Sequence, residues 1–126
     1  METAPLKRVA FFTLGCKTNK YDTEAMQEQF LRKNYRLVDF VEDADVYVIN
    51  TCTVTNLGDR KSRQMIRRAH RKNPYAIIAV TGCYAQRAVE EILTIPGVKV
   101  AMGTKNRNRI VEYVEKAEAM GVAING

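Results

Sequence analysis

Histidine and cysteine are scarce in this sequence: His70 stands alone, and the three cysteines, Cys16, Cys52 and Cys83, never form a C-x-x-C pair. The missing pair excludes thioredoxin-like exchange. An odd cysteine count argues against a disulfide framework and for free thiols or metal ligands. At 126 residues the chain can bury roughly two-thirds of its unfolded surface without such staples. Neither G-x-G-x-x-G nor G-x-x-x-x-G-K-[ST] occurs, so dinucleotide and P-loop readings fail. A phosphatase-type loop needs Arg six residues after the cysteine, where Asp22, Gly58 and Val89 stand instead. Long apolar runs are missing too. Residues 1–8 include Glu2, Pro5, Lys7 and Arg8, and Val9 to Leu14 is too short for a signal peptide or a membrane span. A cytoplasmic protein with no membrane partner is expected, forming one domain over residues 1–126.

What is present is one pattern used three times. VAFFTLGC, VYVINTC and IIAVTGC are short apolar runs that end at Cys16, Cys52 and Cys83. Each is followed by residues with helical periodicity, which reads as a strand feeding a helix. The cysteines therefore fall on βα turns, at the strand ends where open α/β sheets bind ligands.

Along the chain, Lys7 to Leu14 reads as the first strand. Asn19 and Asp22 read as an N-cap pair opening a helix with Ala25, Met26 and Phe30 on one face, ending near Asn34. Tyr35 to Phe40 suggests a short edge strand, and Val46 to Asn50 the third strand. Thr55 or Asn56 can cap a helix whose Ser62, Met65, Ile66 and Ala69 repeat at i, i+3, i+4, i+7, with Arg60, Arg63, Arg67 and Arg71 opposite. Asn73-Pro74 stops it. Ala76 to Thr81 is the fourth strand, Ala85, Ala88, Val89 and Ile92 mark a helix, Val98 to Met102 a fifth strand, and Ile110, Val114 and Ala117 the last helix. These elements predict a doubly wound, mainly parallel five-stranded sheet of flavodoxin-like order 2-1-3-4-5, flanked by about four helices. That order sets strands one, three and four side by side.

Charge is concentrated in one place. Asp59 to Lys72 holds seven basic residues and one acid, leaving 13 of each sign elsewhere and a net charge of +6. Such a helix can contact RNA phosphates, be a solvated face, or dock another domain.

Three thiols at one sheet edge suit a metal. Zinc would want a fourth ligand, and His70 lies on the basic helix near its C-terminal end. An iron-sulfur cluster is the softer match, since thiolates are its usual ligands. Buried cysteines acting as small hydrophobes remain the plain alternative. Asn50, Thr51 and Thr81 flank the cysteines, where they either hydrogen-bond a cluster or simply end strands. A flavin mononucleotide site has only Thr13, Thr18 and Asn19 behind it.

TLGCKTNKYDTEAM, INTCTVTNLGDRKSRQMIRRA and TGCYAQ resemble the N-terminal domain of the radical-SAM methylthiotransferases, a resemblance that runs from about Arg8 to Gly126. Within that family they look like the branch acting on N6-threonylcarbamoyladenosine beside the tRNA anticodon. The resemblance implies that Cys16, Cys52 and Cys83 hold an auxiliary 4Fe-4S cluster whose open iron carries the sulfur donated to C2 of the substrate base. It also implies tRNA as partner of a full-length enzyme. S-adenosylmethionine and a second 4Fe-4S cluster would belong to a radical-SAM domain with a C-x-x-x-C-x-x-C triplet, followed by a small RNA-binding domain; neither is in this chain. The isolated domain is then expected to be inactive alone. The alternative is a metal-free basic RNA-binding or docking module of the same fold.

Overall fold

Two hexapeptides, VYVINT and IIAVTG, are apolar at nearly every position, and a strand of that kind needs cover on both faces. In the computed structural model of the protein, which describes residues 7–13, 17–40, 43–51, 56–82, 85, 88–103, 109–121 and 124–125, both are central strands buried at every residue. The strands are β1 (Arg8–Thr13), β2 (Arg36–Val38), β3 (Val46–Thr51), β4 (Ile77–Gly82), β5 (Val98–Met102) and β6 (Ile124–Asn125). They form one sheet of order β2-β1-β3-β4-β5-β6, and every neighbouring pair is parallel. The predicted order of five strands is observed. β6 is an addition, too short to leave a period in the sequence.

Four helices among the described residues connect the strands: α1 (Lys17–Arg32), α2 (Asn56–Lys72), α3 (Val89–Leu93) and α4 (Ile110–Met120). Alternation along β3 divides the core between the two faces. Val46 and Val48 join Met26 and Phe30 of α1 and Ile110, Val114 and Ala117 of α4. Tyr47 and Ile49 join Met65, Ile66 and Ala69 of α2 and Ile92 of α3. Helices on both sides of a parallel sheet make the architecture doubly wound.

Three local expectations are corrected. α1 opens at Lys17, so Asn19 lies within helical backbone and does not cap it. The buried face of that helix is Thr23, Met26 and Phe30, while Ala25 is exposed; 100° per residue carries position 25 away from 26 and 30. β2 covers only Arg36–Val38, because it pairs with no more of β1 than Arg8, Val9 and Ala10. The end of α1 is as expected: Asn34 adopts φ +67°, a left-handed stop that Asn tolerates, and the Tyr35 N–H returns to the Phe30 carbonyl at 3.0 Å. Among the described residues no helix is long and apolar enough to cross a membrane.

Candidate functional site

β1, β3 and β4 are neighbours and end together. Thr13 pairs with Asn50, Asn50 with Thr81, and Thr51 with Gly82. Strands about 4.8 Å apart put the three ends within roughly 10 Å of one another. In the chain Cys52 follows Thr51, Cys83 follows Gly82, and Cys16 comes three positions after Thr13. The cysteines themselves lie outside the described residues, as do Thr55 and the side chains of Thr18 and Asn19. Among the described residues no group of three His, Cys, Asp or Glu could hold a metal.

Beneath this edge runs a buried polar layer. The Asn50 Nδ2 donates to Thr23 Oγ1 at 2.9 Å, and Thr23 Oγ1 lies 2.7 Å from Thr13 Oγ1. Thr51 Oγ1 donates to the Thr81 carbonyl at 2.9 Å, while Thr81 Oγ1 donates to the Gly103 carbonyl at 3.3 Å. Thr23, Asn50, Thr51 and Thr81 are all buried. Each bond joins different segments of chain: β1 and β3 through α1, β3 to β4, and β4 to the residue after β5. A hydroxyl has a single proton, so those of Thr51 and Thr81 are committed to backbone carbonyls, and the two threonines fasten the strand ends. Buried hydrogen bonds of this kind hold an edge in one arrangement, because breaking them strands polar atoms. Thr23 was not legible as part of this layer. Its only sequence signal is a polar residue three and seven positions before Met26 and Phe30, on the buried stripe of α1.

The basic helix has the predicted two faces. Ser62, Met65, Ile66 and Ala69 are buried, whereas Arg60, Arg67 and Arg71 are exposed and Arg63 is half-buried. Arg63 Nη1 lies 3.5 Å from Glu91 Oε2 of α3. The four arginines and Gln64 line a shallow groove of about 500 Å³. His70 is at the far end of α2, packed where a Cβ on Gly97 would come within 2.5 Å of its Nδ1. That nitrogen is buried without a hydrogen-bond partner among the described residues. Gly97 precedes the start of β5, so the histidine sits at the end of the sheet opposite the cysteine turns.

Residues 8–103 match the model of a family described as uncharacterized protein family UPF0004. The chain is similar to the threonylcarbamoyladenosine tRNA methylthiotransferase MtaB of Bacillus subtilis, at 54% identity over 94% of this chain and 26% of that protein. It is similar to the protein of the same name from Aquifex aeolicus at 46% identity, over 88% of this chain and 28% of that one. The chain thus spans about a quarter of the length of these curated relatives. A solved structure of the inactive form of the regulatory domain of the repressor of iron transport regulator superposes with TM-score 0.51 at 17% identity, covering 91% of this chain and 94% of that one. That likeness concerns the fold alone.

Proposed function

The chain belongs to the UPF0004 family, and from that premise we propose that it is the iron-sulfur-carrying domain of a methylthiotransferase that adds a methylthio group to C2 of N6-threonylcarbamoyladenosine in tRNA. The observation that carries the reading is the common ending of β1, β3 and β4, the three strands whose next turns each contain a cysteine. The donor set fits the group: Cys16, Cys52 and Cys83 supply three thiolates, the ligand type that iron-sulfur clusters take. When bound, a 4Fe-4S cluster held by three cysteines leaves one iron open to an external sulfur.

The chain's own residues prepare the edge for such a group. Thr51 and Thr81 lock the ends of β3 and β4, and Thr23 ties Asn50 to Thr13 across the end of β1. Holding ligands on rigid strand ends lowers the ordering cost of binding. α1 opens at Lys17 and α2 at Asn56, so two helix N-termini lie at the same edge, where their partial positive charge favours an anionic group. tRNA is the substrate in this reading, and the work takes place in the cytoplasm. S-adenosylmethionine and the second 4Fe-4S cluster are assigned to a radical-SAM domain outside this sequence.

Anaerobic reconstitution of the chain with iron and sulfide tests the proposal. One 4Fe-4S cluster per chain is expected, with iron content falling sharply when any one of Cys16, Cys52 or Cys83 becomes Ala. Full iron in all three variants would remove the cysteines from the reading. Iron-free wild-type protein would leave the basic, metal-free module instead.

A further inference from the structure

Arg60, Arg63, Arg67 and Arg71 recur at i, i+3, i+7 and i+11 along α2, on the face opposite its buried stripe. At 1.5 Å per residue the row is roughly 16 Å long. Asp59 is the one acid in the helix, and Arg63, Arg67 and Arg71 stand in like-charge i, i+4 spacing, which a helix does not favour. Among the described residues no ion pair involves Arg60, Arg67 or Arg71. Among the described residues the groove that the row lines is formed by the arginines and Gln64, with no apolar side chain. Protein interfaces do use arginine, but around a packed apolar and aromatic centre, which the described lining of this groove does not supply. A row of guanidinium groups suits a chain of phosphates.

A second feature follows the row. Tyr75 is 95% exposed, in the turn just past the end of α2. That turn is built firmly: the Tyr75 N–H donates to Asn73 Oδ1 at 3.1 Å, and Asn73 Nδ2 donates to the Ala44 carbonyl at 2.9 Å. A bare aromatic ring on a fixed turn is what an unpaired base stacks upon.

We propose that the arginine face of α2 is a track for the phosphate backbone of single-stranded RNA, with Tyr75 as a stacking platform at its far end. The track runs between Tyr75 and the edge where β1, β3 and β4 end, because α2 starts at that edge and leads away from it. The choice of RNA rests on the methylthiotransferase reading; the charge, the exposure and the turn do not.

Binding of a labelled anticodon-type RNA hairpin to the chain, followed by fluorescence anisotropy across a range of salt, tests this. Changing Arg60, Arg63, Arg67 and Arg71 together to Gln should weaken binding and lower the slope of log K against log salt by about 3, at 0.7 for each lost single-strand contact. Tyr75→Ala should weaken binding about tenfold with the slope unchanged, since stacking releases no counterions. Should the quadruple variant fold poorly by circular dichroism, Gln64→Glu sets one opposing charge within the groove and should weaken binding by itself. Unchanged affinity and slope in the quadruple variant and in Gln64→Glu would overturn the track. So would a quadruple variant that keeps RNA binding but loses association with a separately supplied radical-SAM domain. Iron content read on the same samples separates the two proposals: loss of the salt slope with iron intact engages the track alone, and absence of iron in wild type with the slope intact engages the cluster alone.

Discussion

The carbonyl oxygen of Thr51 lies 1.8 Å from where a Cβ on Gly82 would stand. The two residues are registered partners at the ends of β3 and β4, and Gly82 has φ +107°, a backbone conformation that L side chains rarely adopt. Any side chain here meets a strand backbone, which cannot swing aside. Gly82→Ala should therefore cost about 3 kcal/mol or more, from conformational strain and the clash together. Urea unfolding measures it, and a change below 1 kcal/mol, on the order of an ordinary surface substitution, would show that the edge relaxes. Because Cys83 is the next residue, the variant should also hold less iron after reconstitution.

Thr23→Val keeps the shape of the side chain and deletes its hydroxyl. Asn50 Nδ2 then loses the acceptor it uses at 2.9 Å, and Thr13 loses its partner. A destabilisation of about 1–3 kcal/mol is expected, the range for a buried polar group whose partner is removed. An unchanged unfolding midpoint would mean that this layer contributes nothing to holding β1 and β3.

Tyr35 packs edge-on against Phe30 at 4.8 Å, and burial, assisted by Glu115, Glu118 and Asp45, pushes its hydroxyl up to about 12. A tyrosine is neutral when protonated, so the folded protein retains a proton that the unfolded chain releases near pH 10. Stability from this group is fully present below pH 10 and is lost as pH rises toward 12. Thermal melts over that window should show the decline in wild type and a shallower one in Tyr35→Phe; parallel declines would assign the alkaline limb to other groups.

The four arginines of α2 should be dispensable for folding. Each Arg→Gln change at 60, 67 and 71 is expected to alter stability by about 0.5 kcal/mol or less. Arg63, paired with Glu91 across to α3, should cost up to about 1 kcal/mol. A larger loss at any exposed position would mean that the row supports the fold.

The chain as it stands should not cleave S-adenosylmethionine. Its three cysteines are all committed to one cluster in the present proposal, and no C-x-x-x-C-x-x-C triplet occurs in it. Incubation with S-adenosylmethionine and a strong reductant, followed by chromatography for 5′-deoxyadenosine, should find none; product that depends on the protein would contradict the assignment.

Sequence by itself determined whatever depends on near neighbours. Val98–Met102 appears with its expected bounds, and Ser62, Met65, Ile66 and Ala69 are buried as their spacing requires, because strand and helix periods are properties of a few consecutive residues. The order of β1 to β5 was legible as well, since right-handed crossovers leave few alternatives. The three cysteines stood out because each closes the same kind of apolar run. Only the tertiary structure decided which residues meet across that edge. Thr23 lies 27 positions from Asn50, Arg63 28 from Glu91, and the Gly82 backbone meets that of Thr51 from a different strand. Apart from the place of Thr23 on the buried stripe of α1, nothing local marks these contacts. Their contacts exist because α1 and α2 pack on opposite faces of a sheet in which β3 lies between β1 and β4, and that arrangement buries the apolar stripes of both helices at once.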